Sequence, residues 1–258
     1  MSPESDGIDD SQVVLYRLVD QESEEVLIAA EDLLDYFMEE DREPPETVTF
    51  VRAHQVGRAR RKTERAELQV VDRQGATIGA YDIGRVSAAF RPELVPSGAD
   101  RPDLGYSFLG RTCEYPWAGE IWRQWAAMGR PVEPGEWARH PSDWHESWMH
   151  VVQTAWFDSG RSATRYETGG TAVIDGSGFT TGDGFYCALG EAVNGPGGYF
   201  GWNLDALFDC LRTMRRDEAS PFRLVWRNVA VSQEALGSDF TERVLALFEE
   251  CGVETELS

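Results

Sequence analysis

The sequence is poor in positive charge. It has 24 lysine and arginine residues against 45 aspartate and glutamate residues, and its formal net charge is −21. Nucleic acids and anionic membranes attract basic surfaces, so we expect neither among the partners of this protein. The charge favours a cationic protein partner, although solubility alone also accounts for an acidic chain. One basic run, RARRKTERAE at residues 58–67, is predicted to be a solvated loop, with a nucleic-acid-binding arm as the alternative.

Long apolar runs and paired cysteines are missing as well. No stretch of about 18 apolar residues occurs, so no transmembrane helix is expected. The first residues, MSPESDGIDDSQ, have neither the basic start nor the apolar stretch of a secretory signal. The cysteines are far apart and form no metal-binding pair, which favours reduced thiols in a cytoplasmic protein. These cysteines are Cys113, Cys187, Cys210 and Cys251.

The sequence also lacks the usual motifs of cofactor and metal binding. A group of glycines follows a predicted strand, but its spacing fits a plain strand-to-helix turn better than a dinucleotide-binding loop. Three histidines lie close together in the sequence, but not at the four-residue spacing of zinc-binding helices. The glycines are Gly176, Gly178, Gly182 and Gly184, and the histidines are His140, His145 and His150. We therefore expect no cofactor, no bound metal and no catalytic residue.

Changes in composition along the chain predict two folded domains after a short tail. Residues 1–12 are polar and are predicted to form a disordered tail. Residues 13–160 are predicted to form a β-rich α+β domain with a tryptophan-rich helical part. Its tryptophans indicate a core or an interface more strongly than a ligand pocket. Within this domain AAEDLLDYFMEED, residues 29–41, has the periodicity of an amphipathic helix.

The last part of the chain, residues 168–258, is predicted to be an α/β domain. The segments TAVID, FRLVWRNVAV and VETEL have the composition of strands, and helical patterns lie between them. The nearly continuous apolar character of the second segment is typical of a buried parallel strand. The alternation of strands and helices predicts a three-stranded parallel sheet covered by helices.

The stretch GGYFGWNLDALFDCL, residues 197–211, carries the strongest candidate site. It predicts a helix with Asn203 as its N-cap, and this helix places Asp205 and Asp209 on one face, with Phe208 beside them. Like charges at this spacing destabilise an isolated helix. The helix dipole explains an acidic residue in the first turn, Asp205, but it explains Asp209 less well. Together with Glu250 the carboxylates could hold a metal in a nuclease, or they could dock into a cationic pocket. We favour docking, because a catalytic metal site usually adds a histidine or asparagine ligand and no histidine follows in this part of the chain.

At these residues the sequence resembles the barstar family of ribonuclease inhibitors. The resemblance covers about residues 171–258 and is densest at YFGWNLDALFDCL, which is similar to the signature of that family. It implies a barstar-like α/β domain. It also implies an intracellular inhibitor or immunity protein that binds a basic secreted microbial ribonuclease in a 1:1 complex and has no catalytic activity.

The resemblance further implies which residues contact the ribonuclease. Asp209 is the dominant contact and enters the phosphate-binding pocket, while Asp205 and Glu250 add negative charge around it. Phe208 stands where the family often has tryptophan. The implied partner-binding residues are Tyr199, Gly201, Asn203, Asp205, Phe208, Asp209, Arg212 and Glu250.

Residues 1–165 have no counterpart in the small inhibitors of that family, and this leaves alternatives open. The C-terminal domain could protect against a toxin that is not a ribonuclease, or it could bind another partner. The N-terminal domain could then carry a separate binding function.

Overall fold

The chain forms two compact units. The computed structural model describes residues 14–39, 47–55, 62–89, 104–108, 112–166, 170–216 and 222–258. The first unit holds the described residues of Met1–Tyr36, Glu43–Thr77 and Tyr81–Thr112, and the second holds those of Phe37–Arg42, Ile78–Ala80 and Cys113–Ser258. The tryptophan-rich helices therefore share a unit with the last third of the chain. The predicted tail lies outside the described residues, and the predicted division between residues 160 and 168 stays a prediction.

The first unit contains an antiparallel sheet, as its β-branched and aromatic segments predict. Its described strands are β1 (Tyr16–Asp20), β2 (Glu25–Ala30), β3 (Asp32–Leu34), β4 (Val48–Val51), β5 (His54–Gln55), β6 (Lys62–Val71), β7 (Thr77–Ala89) and β8 (Leu104–Phe108). These strands are ordered β3-β4-β8-β7-β6-β1-β2-β5. β1 pairs antiparallel with both β2 and β6, so that buried Leu18 lies opposite buried Leu68. Such cross-strand apolar pairs stabilise the sheet.

Two predictions within this unit are wrong. The described part of residues 29–41 contains β3 and no helix, because Leu33 pairs with Phe50 in β4 and both side chains are buried. Asp35 follows with a φ of 65°, which a helix does not allow. The described part of residues 58–67 lies in β6 and not in a loop, since β6 pairs with β1. In both places long-range pairing overrides the local pattern.

The tryptophan-rich part contains α1 (Ala118–Met128) and α2 (His145–Asp158). Most of its tryptophans are buried, which agrees with the prediction that they form a core or an interface. The buried ones are Trp122, Trp125, Trp137, Trp148 and Trp156. A partly exposed stack remains at the surface, in which the Trp144 ring lies between those of Trp117 and His140, with centroids 4.7 Å away on each side.

Burial of His150 on α2 predicts that this protein is less stable in acid. The ring stacks on Tyr115 with the centroids 4.0 Å apart, and Nε2 lies 3.4 Å from Sγ of Cys113. Burial lowers the pKa of His150 from 6.5 to about 4, so the folded state keeps the ring neutral where the unfolded chain protonates it. The unfolded state then binds more protons, and the free energy of unfolding falls as the pH drops from about 6.5 to about 4.

We expect His150 to account for a loss on the order of 2–3 kcal/mol in that range. Urea unfolding of the wild type and of His150→Gln, at neutral pH and near the lower limit of the range, measures it. The wild type should lose more stability than the variant. An equal loss in both proteins would contradict the assignment to His150.

The last third of the chain has the predicted three-stranded parallel sheet with helices. Its described elements are β9 (Thr171–Asp175), α3 (Gly182–Asn194), α4 (Leu204–Arg216), β10 (Arg223–Arg227), α5 (Val229–Leu236), α6 (Ser238–Glu250) and β11 (Glu254–Leu257). The strand order is β11-β10-β9, and both pairings are parallel. The helices between successive strands are the crossover connections that parallel pairing requires.

The prediction for FRLVWRNVAV is correct only in its first half. Asn228 adopts a φ of 52° and ends β10, and the following residues form α5. Burial also alternates along β10, where Leu224 and Trp226 face the core while Arg223 is exposed and pairs with Glu254 and Glu256. The helices therefore cover one face of the sheet at β10, and the apolar run does not mark a strand that is buried on both faces.

Candidate functional site

The candidate site is built on α4 and on the segment before it, residues 195–203, which we call the binding loop. Asn203 caps the helix as predicted, because its Oδ1 accepts a hydrogen bond of 2.8 Å from the backbone N–H of Ala206. Gly201 has a φ of 93°, and a Cβ at this position would lie 2.7 Å from the nitrogen of Leu207. Only glycine fits both the conformation and the space. The turn into α4 therefore has one defined geometry.

Tyr199 supports the binding loop from inside the protein. Its side chain is 2% exposed, and its ring centroid lies 5.3 Å from that of Phe157 on α2. Burial raises the pKa of the phenol, so the group is neutral at physiological pH. The carbonyl of Tyr199 accepts a hydrogen bond of 2.8 Å from Nδ2 of Asn194. These contacts place the Tyr199 side chain in the core beneath the binding loop, and its contact with a partner stays a prediction.

Asp205 and Asp209 form an exposed stripe on α4, as the sequence predicts. The opposite face of this helix is held in the core by Leu207, Cys210, Leu211 and Met214. Burial raises the pKa of the Cys210 thiol to about 12, so this core residue stays uncharged. The Asp209 side chain is 70% exposed. The two carboxylates therefore face solvent from a helix whose orientation is fixed by the packing of its buried face.

Phe208 and Arg212 flank Asp209. The guanidinium carbon of Arg212 lies 5.5 Å from the centroid of the Phe208 ring, and one guanidinium nitrogen lies 3.8 Å from a carboxylate oxygen of Asp209. Both charged side chains are mostly exposed, so this ion pair is weak and can open when a partner binds. Arg212 thus lies against both the aromatic and the acidic group of the site.

Tertiary packing brings Glu250 to the same site. A groove of about 370 Å³ between α4 and α6 is lined by residues of both helices. Its lining residues are Leu204, Asp205, Phe208, Arg243, Ala246, Leu247 and Glu250. Asp209 lies instead beside a second depression that Arg212, Thr213, Arg215 and Arg216 also line. The acidic side chains thus occur on two neighbouring depressions.

Sequence reasoning missed the contribution of Arg215 and Arg216 at this surface. Both are exposed in the last turn of α4, where cations interact favourably with the carboxyl end of a helix. The signal that could have found them is the run RTMRR, which follows the acidic stripe directly. It also missed Glu191 and Asn194, whose neighbours in the sequence form no motif.

Among the described residues, no group of three or more His, Cys, Asp or Glu side chains could hold a metal ion. All four cysteines are buried, and none of them forms a disulfide. In the same part of the chain we find no helix with the length and apolar character needed to cross a membrane. The predicted partner-binding residues that are exposed, with Phe208 half-buried beside them, are Asp205, Asp209, Arg212 and Glu250.

Comparison with known proteins points to the same part of the chain. A search of the curated proteins finds no match to this sequence. A family model matches the region that contains the parallel sheet, the binding loop and α4. The C-terminal third of this chain, residues 170–256, is similar to the family described as Barstar (barnase inhibitor).

Proposed function

We propose that this protein is an inhibitor of a basic ribonuclease and not an enzyme. The observation that carries the proposal is the exposed stripe of Asp205 and Asp209 on a helix whose other face is locked in the core. This stripe lies within the region that matches a family of inhibitors. We infer a 1:1 complex in which α4 and the binding loop cover the active site of the ribonuclease.

Charge complementarity supplies the mechanism. A ribonuclease binds the phosphates of its substrate with cationic side chains, and carboxylates at those positions can replace the phosphates without being cleaved. Residues 165–258 include 7 basic and 15 acidic residues, so this part of the chain attracts a cationic enzyme. A helix that is already rigid loses little conformational entropy on binding, which strengthens the complex.

The biological setting that follows is protection of the producing cell. A secreted ribonuclease is toxic to the cell that makes it if it folds before export. An inhibitor in the cytoplasm would act as the immunity protein of such a toxin. The acidic charge of the whole chain, −21, would speed the capture of a basic toxin.

Inhibition of a barnase-type ribonuclease by the full chain tests the proposal. We expect stoichiometric inhibition at low salt and a slower association at high salt, because exposed charges are screened. Residual ribonuclease activity is titrated against increasing inhibitor at both salt concentrations. Full ribonuclease activity at both salt concentrations, in the presence of a molar excess of the chain, would contradict ribonuclease inhibition.

A second candidate function is immunity against a toxin that is not a ribonuclease. The observation that favours it is the group of exposed arginines beside Asp209, namely Arg212, Arg215 and Arg216. These cations would repel a uniformly basic active site. They would suit a partner whose binding surface carries both acidic and basic side chains. This candidate predicts that the chain inhibits no ribonuclease but forms a 1:1 complex with a secreted toxin, and that Asp209→Ala weakens the complex.

A further inference from the structure

We infer that Glu191 is a positioning residue that ties the tryptophan-rich segment to the binding loop. It lies in the last turns of α3, and its carboxylate accepts hydrogen bonds from both sides. Oε2 accepts from the backbone N–H of Gly135 at 2.7 Å and from Nε1 of Trp137 at 3.1 Å. Oε1 accepts from the backbone N–H of Gly197 in the binding loop at 3.4 Å. One carboxylate therefore joins two segments that are far apart in the sequence.

Asn194 makes a second connection of the same kind. Its side chain is 6% exposed, and its Oδ1 accepts a hydrogen bond of 2.8 Å from the backbone N–H of Tyr166. Its Nδ2 donates to the carbonyl of Thr164 at 3.1 Å and to the carbonyl of Tyr199 at 2.8 Å. Buried polar groups with this many partners hold the backbone in one arrangement. The binding loop is thus connected through two side chains of α3, Glu191 and Asn194, to residues that precede the parallel sheet.

Close packing at two glycines also positions the loop. Gly197 has a φ of 62°, and a Cβ built there would lie 3.2 Å from Cδ of Pro131. On the opposite side, a Cβ at Gly190 of α3 would lie 2.3 Å from the carbonyl oxygen of Gly198. The loop is therefore enclosed between α3 and the residues that follow α1.

The tryptophan-rich segment, through Pro131, Gly135 and Trp137, thus helps to fix the conformation of the binding loop. Glu191 contacts no partner in this arrangement and acts through the loop, which leads through Gly201 and Asn203 into the acidic helix. The consequence for affinity rests on the proposed function, because a loosened loop matters to a partner only if α4 and the loop bind one. The consequence for the loop itself does not depend on any partner.

Hydrogen exchange of the full chain without a partner decides the inference. Four variants are compared with the wild type: Glu191→Ala, Glu191→Gln, and the controls Glu234→Ala and Glu234→Gln, which alter an exposed glutamate on α5. We expect amide exchange at residues 197–201 to become roughly tenfold faster or more in Glu191→Ala. The substitution removes the acceptor of three N–H groups, those of Gly135, the Trp137 indole and Gly197. The amide of Glu191→Gln keeps one acceptor oxygen, so its effect should be smaller. Exchange in α6 and in the control variants should match the wild type.

Two results would overturn the inference. The first is an amide exchange rate at residues 197–201 of Glu191→Ala that equals the rate of the wild type. The second is equal acceleration in the loop and in α6 in both Glu191 variants, which would show a general loss of stability and no local role. Dissociation from a barnase-type ribonuclease is measured in parallel and should be faster in the Glu191 variants. If the wild type binds no ribonuclease, the proposed function fails while the exchange data still decide the role of Glu191.

Discussion

Replacing Asp209 with alanine is expected to weaken binding to a barnase-type ribonuclease by about 2–5 kcal/mol, which is roughly 30-fold to several thousandfold in Kd. In the proposed complex the carboxylate is desolvated and pairs with cations of the active site. Its removal leaves those cations buried without a partner, and that penalty exceeds the value of an exposed ion pair. Isothermal titration or dissociation kinetics with the full chain measures the loss.

The control for Asp209→Ala is Asp239→Ala. Asp239 is exposed in the first turn of α6, so its replacement removes the same charge from the same unit at another place. We expect the control to change mainly the association rate at low salt, since it alters only the overall charge. The phosphate-replacing role of Asp209 would be wrong if both variants bound the ribonuclease equally tightly.

Replacing Gly201 with alanine is expected to destabilise the protein by about 2–5 kcal/mol, because two separate costs add. Its φ of 93° is unfavourable for any residue with a Cβ, and that atom would lie 2.7 Å from the backbone nitrogen of Leu207 and 2.8 Å from its Cα. Backbone atoms at the start of a helix cannot move aside as a flexible side chain can. Urea unfolding measures the cost as a lower transition midpoint.

Two further glycines separate these costs. Gly237 has a φ of 86° and a ψ of 146°, a backbone region that essentially only glycine occupies, and no atom lies within 4 Å of its Cβ position. Gly237→Ala should therefore show only the conformational cost, about 1–3 kcal/mol. Gly178 also has open space at its Cβ position and has no left-handed φ, so Gly178→Ala should be close to neutral. Equal destabilisation in Gly201→Ala and Gly237→Ala would show that the helix start adjusts and that the turn is not fixed.

Local sequence patterns predicted the features that depend on neighbours along the chain. The cap at Asn203 and the common face of Asp205 and Asp209 follow from helix geometry over a few residues, and the structure has both. The run DRQG at residues 72–75 likewise predicts a turn from its residue types alone. Asp72 accepts hydrogen bonds from the backbone N–H groups of Gln74 and Ala76, and Gly75 adopts a φ of 81°.

The features that sequence reasoning missed depend on contacts between distant segments. The helical periodicity of residues 29–41 gives way to a strand in the described part, since pairing of Leu33 with Phe50 buries more apolar surface than an isolated helix would. The end of β10 depends on Asn228 in a left-handed conformation, which asparagine adopts more readily than most residues but which few asparagines in a sequence take up.

The sequence by itself determined the charge of this protein, the order of strands and helices in its last third apart from α5, and the acidic stripe that the proposed function uses. These properties follow from composition and from spacings of a few residues. Only the tertiary structure decided that Glu250 shares a groove with Asp205, and that Glu191 connects the tryptophan-rich segment to the binding loop. Both depend on how helices pack and on which buried donors a carboxylate meets, and neither is encoded in a local pattern.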